Sequence, residues 1–576
     1  MNFREQAQHF LEKEKEFHLG DLVTEHPHPN TAKLSEITQG DTSMGVRALL
    51  SVDRDIPPVV DKVFKSAEYS DLIKAISTCI KKGKRLCFSS CGASGRLAII
   101  LEAMWRDQCR KAAFENPGDE AFFRKLENQV YSIMTGGDRA LIRSVENFED
   151  YQVFGRRQFI ESGLGEGDLM IALTEGGEIS SVIGSMKEAL ERKTRVFMLF
   201  NNPADLLVNK FERSRDVILN PDIIKIDLTT GPMSLAGSTR MQATTTAMLV
   251  TGAAIEEAFS ATFIKDGKEG KRLAGSFWKD GFSSLLDQLN SESNIRVISN
   301  LADRESECFL NSGRVTYTAN TYLLDIFSDT TERAPTFMVP PFRQFDDTES
   351  PAPWAFARDP LRKSHEAWLK LLRREPRGLD WTGQDYEDMG VPLEMKERAG
   401  TLNNTQICKF HIGNEDDPSR YDCPDSLLVR INLNEPENPD FDSWWDLNHH
   451  HFTDHVILEI GHKGQLSNAT HTIKIDFPCT MTKLFEHLAI KLIFNTLSTA
   501  AMAKSGRIKG NWMIQLDATN KKLTDRAARI ISHFAGIGYE EACLELFRTM
   551  NEPGIHRLRF EKSYVIQTLE RLGKKI

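Results

Sequence analysis

Long apolar runs are missing from this chain. No stretch of its 576 residues is apolar enough to span a bilayer. The opening segment, MNFREQAQHFLEKEKEFH, is charged throughout and lacks the apolar centre of a secretory signal. Positive charge is not in excess either: 72 Lys and Arg stand against 82 Asp and Glu, giving a net charge of −10. That balance argues against nucleic acid as the main partner. The nine cysteines form no C-x-x-C pair, and Cys87 and Cys91 fall in a stretch that reads as a strand running into a loop. Reduced thiols in a cytoplasmic setting fit better than a disulfide framework or a zinc site. Two nucleotide signatures are absent as well: there is no G-x-x-x-x-G-K-[ST] and no G-x-G-x-x-G. Nothing in the sequence calls for a metal or a cofactor.

What remains is an ordinary globular composition, 40% hydrophobic and 27% charged, with a mean hydropathy of −0.37. The length exceeds one compact core and predicts several domains. In the first half, apolar runs alternate with helical patterns. RLCFS (85–89), QVYSIM (129–134), DLMIALT (168–174) and RVFMLF (195–200) read as buried strands. The first three end in small-residue turns, and helical patterns follow, among them LAIILEAMW and SSVIGSMKEALERK. Strand, small-residue turn and helix in repetition predict an α/β fold, a parallel sheet with helices on both faces. Ligands of such sheets gather at the C-terminal strand ends, where these turns lie.

The second half repeats the first in worn form. Ile224-Lys225-Ile226-Asp227 recurs as Ile473-Lys474-Ile475-Asp476, and a long helical stretch follows each copy. A domain duplication explains both. The stretch 349–390, rich in Pro, Trp and charge, reads as insertions around weak helices. Residues 1–45 are expected to form a leader, 46–265 a first α/β domain, 266–503 a second, and 504–576 a helical C-terminal region.

Two turns have anion-binding chemistry. In Ser90-Cys91-Gly92-Ala93-Ser94-Gly95-Arg96 the small residues let the backbone approach a ligand, the coming helix offers free N–H groups, and Ser94 adds a hydroxyl. Leu235-Ala236-Gly237-Ser238-Thr239-Arg240-Met241 is a second such turn, in which Ser238 or Thr239 also serves as a helix cap. His449-His450-His451, with His455 near, reads as a surface loop, since nothing completes a metal ligand set. Trp444-Trp445 reads as packing.

SCGASGRLAIILEA, TGGDRALIRSVENFED and TTGPMSLAGSTRMQATTTAM, in this order, resemble the sugar-isomerase (SIS) domain of N-acetylmuramic acid 6-phosphate etherases and the glucokinase regulatory protein. LVTEHPHPNTAKLSE resembles their leader, and NTLSTAAMAKSGRIKGNWMIQLDATNKKLTDRAARI the C-terminal portion of the etherases. The resemblance implies two tandem flavodoxin-like SIS domains and a phosphosugar loop at Gly92, Ala93, Ser94 and Gly95. It implies a second loop at Gly237, Ser238 and Thr239, and a phosphate-reaching lysine at Lys522. The third turn, Thr174-Glu175-Gly176-Gly177, departs from the etherase pattern and matches the regulator in Thr174 and Gly176, with Gly177 beside them. Glu175 and Glu178 would repel a phosphate and are expected to point away or to bond sugar hydroxyls.

Of the two etherase acids, one maps to Glu149. The position of the other is Met104 in the first domain, and the acid reappears in the second domain as Glu332. The second domain's own phosphate loop reads Ala319-Asn320-Thr321-Tyr322-Leu323, without glycines. The halves thus look complementary. The resemblance leads to one site for a phosphorylated hexose or amino sugar, in a pseudo-dimeric monomer, with sensing of the sugar phosphate and a sugar kinase as protein partner placed first. An etherase-like lyase using Glu149 and Glu332 is placed second. Aldose–ketose isomerisation follows only by analogy of fold.

Overall fold

The computed structural model describes residues 1–145, 147–263, 275–461, 468–553 and 561–574. Five strands make the first sheet: β1 (Leu86–Ser90), β2 (Val130–Met134), β3 (Leu169–Leu173), β4 (Arg195–Phe200) and β5 (Ile223–Asp227). They run parallel in the order β2-β1-β3-β4-β5. Every residue of β1 and β3 is buried, as expected for a sheet covered on both faces.

The second sheet holds β6 (Arg314–Ala319), β7 (Ala355–Arg358), β8 (Ser426–Leu433), β9 (Asp454–Ile460) and β10 (His471–Ile473). Its order, β7-β6-β8-β9-β10, is that of the first sheet strand for strand, again all parallel. The duplication legible in one repeated tetrapeptide therefore extends to the whole topology. The second copy of that tetrapeptide is only partly strand. β10 ends at Ile473, and side chains take over the pairing: Asn294 accepts from the Lys474 N–H at 2.9 Å and Gln288 from that of Asp476 at 2.6 Å. The expected insertion at 349–390 contains the edge strand β7, four residues long and unsignalled by alternation.

One continuous core runs through both halves. Helices Gln242–Phe263 and Leu484–Lys504, buried almost all round, lie against each other at its centre. The expected boundary between residues 265 and 266 lies outside the described residues. A third unit joins the two ends of the chain. Phe10, from the leader helix Phe3–Lys13, packs with Ile530, Leu546 and Leu569 of the C-terminal helices. Leader and tail thus form one helical block, which brings residues 24–25 and 520–526 to the same place.

The insertion after helix Ser364–Leu372 leaves the second domain and docks on the first. Trp381 lies over Phe154 at 5.7 Å and Phe148 at 6.0 Å, with Tyr386 edge-on to both. Beside it, Arg374 and Arg377 grip Glu102 at 2.8–3.1 Å, and the Arg377 carbonyl accepts from the Asp138 N–H at 2.9 Å. Burial opposes the Glu102 charge, yet Arg374, Arg377 and Arg106 bring its carboxyl down to about 2. The clamp is therefore ionic over the whole working pH range. Among the described residues, no helix is long and apolar enough to cross a membrane.

Candidate functional site

The first turn of helix Gly92–Glu115 follows β1 directly. Gly92 takes a left-handed φ of +59°, which a Cβ would strain. Gly95 is the first residue whose N–H bonds back into the helix, to the Cys91 carbonyl at 3.0 Å, so the N–H groups before it lack helical acceptors. The second turn sits opposite. Gly237 has φ +76°, and a Cβ there would lie 2.5 Å from Arg526 Nε and 2.8 Å from a Glu25 oxygen. That crowding records how tightly the end-to-end helical block is seated: Arg526 bonds Glu25 at 2.6 and 2.9 Å, and the Gly237 N–H reaches the Thr24 carbonyl at 3.0 Å.

Between the turns lies a cavity of about 180 Å³. Its walls include Gly92, Ala93, Glu149, Gly237, Ser238, Thr239, Glu332 and Lys522, eight of the residues named from sequence. Ser94 and Gly95 stand behind the wall. The Ser94 hydroxyl is turned to the Cys91 carbonyl at 3.0 Å, and Gly95 backs onto Met134. Thr174, Gly176 and Gly177 are also off the wall. Asn202 bonds the Gly176 carbonyl at 3.1 Å and Leu207 packs on Gly177, closing that turn into the core. The Thr174 hydroxyl is buried with no hydrogen-bond partner in the protein. Glu175 and Glu178 are turned inward, the former accepting from the Thr244 hydroxyl and the latter from Arg213 at 2.8 Å.

The two acids come from different halves and different surroundings. Sequence pattern predicts one polar helix from about Asp138, but the helix stops at Ile142 after four residues. A left-handed Asn147 (φ +69°) then turns the chain into a short 3-10 segment, Phe148–Asp150. Phe148 is buried under Trp381, which fixes Glu149 beside it. The Asn520 side-chain amide donates to Glu149 at 2.9 Å, while its oxygen caps the helix Lys521–Ala535. Burial works against the Lys522 charge, but Glu149 and Glu178 overcome this and lift its ammonium to about 12.

Glu332 reaches the cavity from helix Leu323–Phe337 of the second domain and lies 3.9 Å from the Arg96 guanidinium. Burial pushes its carboxyl up, against the pull of Arg96, Arg240 and Lys491. Arg240 is itself held by Asp329 at 3.0 Å. Arg96 and Arg240 stand inside the two turn motifs, where sequence reading gave them no role. Asn520, Glu25 and Lys491 are visible only once the chain is folded.

A family model, the glucokinase regulatory protein N-terminal SIS domain, matches residues 70–190. An N-acetylmuramic acid 6-phosphate etherase of Clostridium acetobutylicum is 31% identical over 255 residues, 44% of this chain and 72% of the relative. Another, from Bacillus licheniformis, is 26% identical over 256 residues, 44% of this chain and 73% of that one. The chain belongs to the SIS-domain family of these etherases and the glucokinase regulatory protein. Among solved structures, the C-terminal domain of a Francisella tularensis glucosamine-fructose-6-phosphate aminotransferase aligns at a TM-score of 0.41 and 11% identity, covering 79% of this chain and 96% of its own.

The second SIS domain has a matching cleft of about 270 Å³, where Thr321 and Tyr322 face Met104. Its anion chemistry is already used. Lys370 donates to the Asn320 carbonyl and side-chain oxygen, both at 2.6 Å. The Glu256 carboxylate takes the N–H groups of Met481 (3.0 Å) and Thr482 (2.5 Å), in the turn that opens helix Leu484–Lys504. Around the second cleft, then, one ion of the second domain and one of the first already hold partners that a ligand could use. Among the described residues no three His, Cys, Asp or Glu side chains group to hold a metal. Trp445 is buried on Leu428 and Ile457, beneath His449.

Proposed function

We propose that the cavity between the SIS domains binds a sugar phosphate and cleaves an ether on it, as a carbon–oxygen lyase of the etherase type. One observation carries this reading. Glu149 and Glu332, contributed by different domains, line the same cavity, the first bonded by Asn520 near the Lys522 ammonium and the second buried with its carboxyl pushed up. Such a pair can divide acid from base. Glu332, buried and pushed toward its neutral form, is the proton donor to the departing lactate oxygen. Glu149, beside the Lys522 ammonium, is the base that removes the sugar C2 proton. Gly92, Ala93, Ser238 and Thr239 receive the phosphate, and Lys522 supplies the cation that faces it.

Sequence reading puts sensing first; the etherase relatives and the shared cavity put the lyase first. A single assay separates them. The protein is incubated with N-acetylmuramic acid 6-phosphate and D-lactate is measured. Release that falls by about a hundredfold or more in Glu332→Gln supports the lyase. No release, under conditions where a bacterial etherase turns over, removes it.

The sensing reading keeps one specific support: the regulator model matches 70–190, and this chain fuses two SIS domains, as the regulator does. In that reading, a sugar phosphate gripped by both halves biases their arrangement and hence the surface offered to a sugar kinase. Tight hexose phosphate binding without lactate release, coupled to binding of such a kinase, would establish it.

A further inference from the structure

The cavity that holds the two acids opens into a second, larger space of about 630 Å³. The two share Ser144, Val145, Asn147, Pro335 and Leu523 as walls. None of these belongs to the turns at Gly92 or Gly237, so the opening lies away from the phosphate end. A hexose phosphate in the inner cavity leaves the outer space unfilled, although that space has the size of a small-molecule pocket.

Arginine marks the outer space. Arg139 comes from the first SIS domain and Arg398 from the docked insertion of the second, and both line it. Among the described residues Arg139 has no carboxylate partner. It donates to the Arg143 carbonyl at 3.4 Å, lies 4.6 Å from the centre of the Phe410 ring, and keeps a buried Nε without an acceptor. Burial, then Arg143 and Arg398, push its guanidinium down to about 9. Glu394, Glu397 and Asp517 also line the space, yet none offsets that repulsion at Arg139. Arg139 and Arg398 line the space from opposite domains, and a bound anion would meet a guanidinium there in the bidentate manner that it favours.

We propose that the outer space is an anion subsite, in which Arg139 and Arg398 together bind a second phosphate or carboxylate next to the sugar phosphate of the inner cavity. The inference rests on the phosphosugar reading above. The ligand class is then a sugar carrying two anionic groups, or a sugar monophosphate accompanied by a separate anion. In either form the second anion ties the insertion of one half to the other half.

Calorimetric titration of the full-length protein tests this. The probes are a hexose 6-phosphate, the corresponding 1,6-bisphosphate, and the 6-phosphate with added inorganic phosphate. The bisphosphate is expected to bind about tenfold tighter than the 6-phosphate, with Arg139→Gln and Arg398→Gln each removing most of that margin and leaving 6-phosphate binding unchanged. Tightening by inorganic phosphate, lost in the same variants, would identify a separate anion. Because Arg398 is exposed, its variant remains informative even if the Arg139 variant folds poorly. If the 6-phosphate binds but neither added anion tightens it, or if the margin survives both variants, the subsite is wrong. If no sugar phosphate binds in any arm, the phosphosugar reading fails and takes the subsite with it.

Discussion

Gly237 shows how much a single residue position holds in this site. Its φ of +76° is open to glycine and strained for any other side chain, and a Cβ would press on Arg526 and Glu25. Those two ions are buried together, and the arginines hold Glu25 well below the usual carboxylate range despite its burial. Gly237→Ala should therefore cost about 1–3 kcal/mol in backbone strain and loosen the Arg526–Glu25 pair. A lower melting temperature with weakened sugar phosphate binding is the expected result, read by thermal denaturation and calorimetry. Asp53 makes the opposite kind of statement. Burial, with help from Asp55, raises its carboxyl from 3.8 to about 7, against the Gln242 hydrogen bond at 2.9 Å. The folded protein then holds a proton that the unfolded chain has released, so stability falls as pH rises from about 4 to about 7. Asp53→Asn keeps an acceptor for Gln242 and removes the titration. Its stability relative to the parent should be greater at pH 8 than at pH 5, by at most about 3 kcal/mol, and is read as a difference in melting temperature.

At the scale of elements, the insertion from 373 to 412 decides where Glu149 stands. Trp381 covers Phe148, and Phe148 adjoins the acid. Trp381→Ala removes a buried ring worth about 3–5 kcal/mol. It should free the insertion to proteases and lower ligand affinity while leaving the second sheet folded. Limited proteolysis with and without a hexose phosphate checks this, since a bound ligand should restore protection. The same element marks the limit of what sequence shows. Strands β1 to β4 were legible from their apolar runs, the first three of which end in turns of small residues, and the two anion turns because glycine and serine mark them. The strand β7 was not, being four residues on a sheet edge with no alternation to signal it. Nor was the docking of Trp381, which depends on residues more than two hundred positions apart. Of the cavity wall, Glu149, Glu332 and Lys522 came from motif resemblance. Asn520 and Arg526 stood within the quoted motifs without a role until the fold placed them. Thr174, Gly176 and Gly177 were read as ligands and lie outside the wall, because Leu207 and Asn202 close over them.

At the scale of the whole molecule, two sheets of identical order raise the question of why there is not a second site. The acid alone does not explain it. Met104 faces the second cleft where Glu332 faces the first, but in the second half the groups that could meet a phosphate are also taken up by the protein itself. Lys370 fills the loop at Asn320, its ammonium pushed down to about 8 by burial. Glu256 takes the N–H groups of the opposite turn. An internal carboxylate occupies those N–H groups as a phosphate would, and the Lys370 ammonium, a natural partner for an anion, is spent on the Asn320 oxygens, without the entropy of capture. Restoring the acid should therefore restore nothing. Met104→Glu is expected to bind one sugar phosphate per chain in calorimetry, the stoichiometry proposed for the parent, with unchanged affinity. Two equivalents in that variant would mean that Lys370 and Glu256 yield to a ligand, and that the missing acid alone silenced the second half. One equivalent would place the asymmetry in the ions themselves: duplication supplied two clefts, and in the second the protein's own charges hold the groups that a phosphate would need.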